Sequence, residues 1–235
     1  MAHQSAKSCM CSELGDGSEP VREEPARQAR PGTAGALDDA TLDQVVRFHG
    51  HLCPGLAMGI HVANIALREI GPHSTDEEVV AVVETDMCGV DGIQFLTGCT
   101  FGKGNLLHLD YGKNAYTFHR RSDGRAVRIA GRPDAWQRDP EHQALFAKVR
   151  AGEASADERS RFRELHEEQS HLLLARSPDE LFTVEEVDAE PPRKARIHAS
   201  VPCARCGEGV METRVRRLES EELCQPCFEA ANATV

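Results

Sequence analysis

The residues best suited to chemistry in this chain are thiols and imidazoles. Nine cysteines and eleven histidines occur in 235 residues, and seven of the cysteines fall into two patterns. The tighter one is Cys203-x-x-Cys206, seventeen further residues, then Cys224-x-x-Cys227. Zinc takes four soft ligands in a tetrahedron, and each Cys-x-x-Cys turn presents two thiolates from one knuckle. Cys203, Cys206, Cys224 and Cys227 are therefore expected to hold one structural zinc. So small a module buries little apolar surface, and metal binding would supply most of its folding energy. Four thiolates leave the ion no open position, which argues against catalysis there.

The looser pattern gathers around Phe48-His49-Gly50-His51-Leu52-Cys53-Pro54-Gly55-Leu56. Two imidazoles and a thiol precede a helix start, where free N–H groups and the helix dipole favour a thiolate. In an extended segment His51 and Cys53 point the same way. Cys88 lies at a strand-to-helix turn with Asp91 just after it, and Cys99 opens a glycine-punctuated loop that also carries Lys103. The expected core pocket joins His51, Cys53, Cys88 and Cys99 around a second divalent metal, zinc above others. Cys53, Cys88, Asp91 and Lys103 are its candidate catalytic groups, with Glu84 as an alternative to Asp91 for acid–base work. The competing reading is local: His49 caps the preceding helix and the three cysteines are inert buried thiols. Gly98-x-x-x-Gly102-Lys103 is one residue short of a Walker A loop, so anion binding by Lys103 and the loop amides rests on weak ground. His166 and His171 are five residues apart, about 140° around a helix, too far round to share a metal as an i, i+4 pair would.

Positioning these groups falls to elements that the hydrophobic pattern outlines. A helix is expected from about Asp39, and a second, apolar over much of its surface, from Pro54 to Ile70, stopped by Gly71-Pro72. Val79–Thr85 reads as a buried strand, Val90–Leu96 as a short helix, and 106–109, 115–120 and 125–130 as strands, the last two joined by a hairpin. The order α-α-β-α-β-β-β predicts an α+β fold with helices packed on a mixed sheet. The boundaries expected are a disordered tail at 1–36, a core at 37–138, an acidic helical extension at 139–192 that connects to the ribbon, and the zinc ribbon at 193–235. The extension carries one long helix, 157–175, with Phe162, Leu165, Leu172 and Leu173 as apolar contacts; His166 and His171 are read as solvated.

The runs FHGHLCPGLAMG and ETDMCGVDGIQFLTGCTFGKGN, followed by the Asp110-Tyr111-Gly112-Lys113 turn, resemble the FmdE family of formylmethanofuran dehydrogenase components over roughly Asp39 to Ala175. The ribbon is similar to the extension that some members carry. The resemblance implies a core like the catalytic domain of glyceraldehyde-3-phosphate dehydrogenase, an intertwined homodimer, and a metal pocket built around His-x-Cys-Pro-Gly and the later cysteines. It also implies an accessory place beside a molybdenum or tungsten oxidoreductase. The chain has no Cys-x-x-Cys-x-x-Cys run for an iron–sulfur cluster of its own.

Composition narrows the classes. A net charge of −11 argues against a broad nucleic-acid surface, and the ribbon, with seven basic and six acidic residues in 193–235, suits protein contact better. Residues 139–190 hold fourteen acidic and six basic side chains, which concentrates the excess in the extension. No apolar run reaches the ~18–20 residues of a membrane span, and Met1 to Arg30 lack a secretory core, so a cytoplasmic place is expected. There, nine thiols suit metal better than disulfides. Two functions remain open: a metal-dependent enzyme or enzyme subunit, and a metal sensor, metallochaperone or assembly factor acting through the ribbon.

Overall fold

The computed structural model describes residues 37–72, 76–135 and 139–233. The expected tail at 1–36 with Cys9 and Cys11, and also Trp136, lies outside the described residues. Helix α1 (Asp39–His49) begins where the Asp38 carboxylate accepts the Thr41 N–H at 2.8 Å and ends at Gly50, whose φ of 100° suits glycine. Helix α2 (Pro54–Glu69) follows, with proline in its first turn and Cys53 as its cap. One face of α2 sends Ala57, Val62, Ile65 and Ala66 into the main core, while Leu56, Ile60 and Ala63 meet Val45 and Leu96 on the other side. Burial on two sides is why its sequence is apolar nearly all round.

Strand β1 (Val79–Val83), helix α3 (Gly89–Thr97) and β2 (Leu106–His108) make a parallel crossover unit, and β3 (Ala115–Arg120) and β4 (Ala126–Gly131) add an antiparallel hairpin. Helices α4 (Pro140–Ala151), α5 (Ala156–Leu174) and α6 (Pro178–Leu181) precede β5 (Phe182–Glu186), which pairs with β4 and completes a five-stranded sheet in the order β2-β1-β3-β4-β5. The α+β class with a mixed sheet is as expected. The acidic extension, however, is part of that core. Its β5 is the fifth strand, Leu173, Leu181 and Phe182 enter the main cluster, and the buried His61 of α2 donates to the Leu173 carbonyl at 2.9 Å. Its surface charges masked the few large apolar residues that dock it. Within the extension Leu172 is exposed, and His166 is half-buried rather than solvated, its Nδ1 2.9 Å from Nε2 of the buried His142 in a stack with Phe146 and Phe162.

Beyond β5 the chain runs along the sheet as an extended tether. Arg121 donates to the Pro192 carbonyl at 2.6 Å, and the Ala195 N–H donates to Glu77 at 3.1 Å. The ribbon comprises the β6 (Ser200–Pro202)–β7 (Gly209–Met211) and β8 (Arg216–Leu218)–β9 (Glu221–Leu223) hairpins and helix α7 (Gln225–Asn232). Where one long hairpin between the knuckles was expected, there are two short ones and a helix, because each knuckle closes its own turn.

Helices α2 and α3 touch backbone to backbone. A Cβ placed on Gly59 would lie 2.1 Å from the Gly89 carbonyl oxygen and 2.4 Å from its Cα, a separation that only glycine permits. Gly59→Ala should therefore force the helices apart and destabilise the fold by about 3 kcal/mol or more, measured by chemical denaturation; an unchanged midpoint would contradict the contact. A second expectation concerns acid. Burial holds the His61 pKa below its ordinary 6.5, so the unfolded chain takes up that proton first as pH falls. The stability from neutral His61 is complete above about pH 6.5 and is lost as pH falls toward the folded-state value. His61→Gln should flatten the decline in stability between pH 7 and 5, and an identical slope in the variant would show that another group sets it.

Candidate metal centres

Among the described residues, two groups of three or more His, Cys, Asp or Glu ligand atoms lie within 4.8 Å of one another: Cys203, Cys206, Cys224 and Cys227, and His49, Cys53 and Cys88. The first is the expected ribbon site. Its knuckle is tied by the Gly207 N–H to the Cys203 carbonyl at 2.9 Å, and the Cys224 N–H donates to Cys203 Sγ at 3.3 Å. Cys206 and Cys224 sulfurs are 3.8 Å apart, close to the roughly 3.8 Å edge of a tetrahedron with ~2.3 Å Zn–S bonds. Backbone N–H groups, from Cys206 first and then Cys224, pull the Cys203 thiol down to about 6. Cys227, hydrogen-bonded to Cys224, desolvated and facing the other thiols, is pushed up to about 12. Four thiolates so close together repel one another without a cation between them, and zinc removes that repulsion.

The second group is built by helix ends. Gly50 terminates α1 so that His49 is its last residue, and four residues later Cys53 caps α2, its Sγ accepting the Leu56 N–H at 3.3 Å. The crossover from β1 delivers Cys88 as the cap residue of α3, with no side-chain capping bond to occupy its thiol. His49 Nδ1 donates to the Asp91 carboxylate at 2.7 Å, which turns Nε2 toward Cys53 Sγ at 3.8 Å. A carboxylate on the far nitrogen of a histidine fixes its tautomer and orientation, the usual support of a metal-bound imidazole. Burial, with the nearby Cys88, raises the Cys53 thiol to about 11; a bound cation would reverse that preference. Two thiols and one imidazole at this spacing fit zinc with one coordination position left over.

The sequence-based site is redistributed. Cys53 and Cys88 do meet. His51 is exposed, its ring 4.8 Å from that of His49, and it stands outside the ligand group. The reason is that residues 50–53 turn between two helices instead of extending, which makes His49 and Cys53 the facing pair. Cys99 also lies outside: it is fully buried, its S–H directed to the Val79 carbonyl at 3.5 Å, and burial raises its pKa. For Cys99 the buried-thiol reading describes what is seen. Asp91 acts on His49 rather than standing free as an acid. The alternative, Glu84, is buried and accepts from Arg128 at 3.0 Å, a structural ion pair. The sign that could have singled out His49 was its four-residue spacing from Cys53 across a helix-stopping glycine.

A cleft of about 400 Å³ opens beside the core group, at the carboxyl ends of the parallel β1 and β2, where open α/β sheets commonly place ligands. His49, Cys88 and Asp91 form one wall, and Val83, Val90 and Leu106 contribute apolar surface.

A mixed sheet with a Cys/His group at its helix ends, and a four-cysteine finger beyond it, defines an α+β protein with two thiol-rich centres. Residues 48–183 match the family model described as FmdE, molybdenum formylmethanofuran dehydrogenase operon, and residues 197–233 match the prokaryotic dksA/traR C4-type zinc finger. The chain belongs to the FmdE family. It is 37% identical over 196 residues to a probable S-adenosyl-L-methionine-binding protein of Archaeoglobus fulgidus, covering 80% of this chain and 52% of that protein; it thus spans about half the length of this curated relative. A crystal structure of an FmdE-like protein of the tungsten formylmethanofuran dehydrogenase type, from Syntrophus aciditrophicus, has a similar fold, with a TM-score of 0.54 at 23% identity, over 82% of this chain and 92% of that one. No described helix is long and apolar enough to cross a membrane.

The ribbon generates its own expectation. Cys203→Ser or Cys224→Ser should remove one zinc per chain and unfold the segment beyond residue 199, read as new proteolytic cleavage there with the core intact. Unchanged zinc content in both variants would refute the site.

Proposed function

We propose that this chain is a metal-dependent FmdE-family protein whose core centre holds zinc on His49 Nε2, Cys53 Sγ and Cys88 Sγ and presents it to a small molecule in the adjoining cleft. The observation that carries the reading is the His49–Cys53–Cys88 group with Asp91 bonded behind His49. When bound, the ion supplies a Lewis acid with one exchangeable position. The chain's own groups do the rest. Asp91 keeps the proton of His49 on Nδ1 and leaves Nε2 as a ligand. The Leu56 N–H stabilises negative charge on Cys53, and Cys88 reaches into the cleft wall.

The family's tie to a molybdenum formylmethanofuran dehydrogenase operon supports an accessory role beside an oxidoreductase of that type, in the cytoplasm and as a homodimer. The Archaeoglobus relative's name makes S-adenosylmethionine a compound to offer the cleft. A second reading, a metal sensor or assembly factor signalling through the ribbon, draws on one contact. The loop bordering the cleft reaches the ribbon tether, where a Cβ on Gly104 would lie 2.7 Å from that of Ala195.

Metal analysis tests the first reading. The full chain should carry two zinc ions, and Cys88→Ser should carry one, with the ribbon zinc retained and the melting temperature little changed. Asp91→Asn should keep the fold and weaken the core site about 10–100-fold in competition with a chelator. A single zinc in the unaltered protein, or two in Cys88→Ser, would overturn the assignment.

A further inference from the structure

We infer that the cleft beside the core centre selects a positively charged small molecule with an apolar body, and rejects anions. The inference rests on the proposed metal site, because the ion's charge enters the balance. A divalent cation is offset by the thiolates of Cys53 and Cys88, so the centre itself contributes little net charge. The carboxylates of Asp86 and Asp91 remain, both on the cleft wall. Asp91 is engaged by His49 at 2.7 Å and by the Gln94 amide at 3.4 Å. Asp86, exposed on the turn between β1 and α3, is the carboxylate placed to meet a ligand.

The rim fits the same class of molecule. Phe101 lines the cleft yet is 78% exposed, and Met87 beside it is 51% exposed. Gln94 anchors this edge: its side-chain oxygen accepts the Phe101 N–H at 3.2 Å while its amide reaches Asp91. An exposed aromatic face next to a carboxylate attracts an ammonium or sulfonium group by both quadrupole and charge. Val83, Val90 and Leu106 offer an apolar body its contact surface. Lys103, whose ammonium would favour an anion, is not among the described residues lining the cleft, and neither is any other lysine or arginine. The volume of about 400 Å³ suits a small molecule rather than a chain segment.

Three probes of one shape and different charge test this on the full chain loaded with cobalt: 2-phenylethylamine, 2-phenylethanol and 3-phenylpropionate, followed by ligand-observed NMR at neutral pH. The amine should bind about 10-fold tighter than the alcohol, and the carboxylate more weakly than either. Asp86→Asn should erase the preference of amine over alcohol, and Phe101→Leu should reduce it. Equal or tighter binding of the carboxylate, an amine preference that survives Asp86→Asn, or failure of all three probes to bind would overturn the inference. The thiolate-to-cobalt absorption band of the same samples, compared with that of Cys88→Ser, reports the metal site separately. A band without charge selection defeats this inference alone, and charge selection without a Cys88-dependent band defeats the metal reading.

Discussion

The approach of α2 to α3 at Gly59 and Gly89 is the constraint from which the core site follows. Two helices whose backbones touch bring their first turns into register, and each first turn carries a thiol. Cys53 caps one helix and Cys88 caps the other, so the sulfurs converge because the glycines do. A side chain at Gly59 would meet the Gly89 carbonyl at 2.1 Å, and any relief of that clash would move Cys88 away from Cys53. The helix contact is thus a stability term and a ligand-positioning term at once.

Around that contact the remaining elements act as supports. Helix α1 exists, for the site, to end at His49, and Gly50 stops it there. The β1–α3–β2 crossover brings Asp91 behind His49 and leaves a cleft at the strand ends. Helix α5 and β5 close the core from the opposite side through Leu173, Leu181 and Phe182. The ribbon repeats the same chemistry in a smaller frame, with hairpins in place of packed helices and a fourth thiol in place of the open position.

Much of this was legible in the sequence, for identifiable reasons. Period and punctuation located α2, β1, α3, β3 and β4 to within a few residues, since each has a strong apolar pattern and a glycine or proline at its border. The four ribbon cysteines were legible because a tight zinc knuckle needs a fixed local spacing. The core ligand set was only half legible. Cys53 and Cys88 stand on adjacent helix caps, but the choice between His49 and His51 depended on whether residues 50–53 extend or turn, which tertiary contact decides. Cys99 was drawn in by its residue type, and burial beside Val79 gives it a packing place instead. The fifth strand was hidden because Thr183, Glu185 and Glu186 read as part of an acidic connector, while its docking depends on Leu181 and Phe182 just before them.

The central claim is that one metal ion sits among His49, Cys53 and Cys88, and the most direct measurement is an anomalous-difference map collected at the zinc edge from crystals of the full chain. The account predicts two peaks per chain, one among the four ribbon sulfurs and one about 2.0–2.3 Å from His49 Nε2, Cys53 Sγ and Cys88 Sγ. A ribbon peak alone, or a second peak whose ligands are His51 or Cys99, would contradict it.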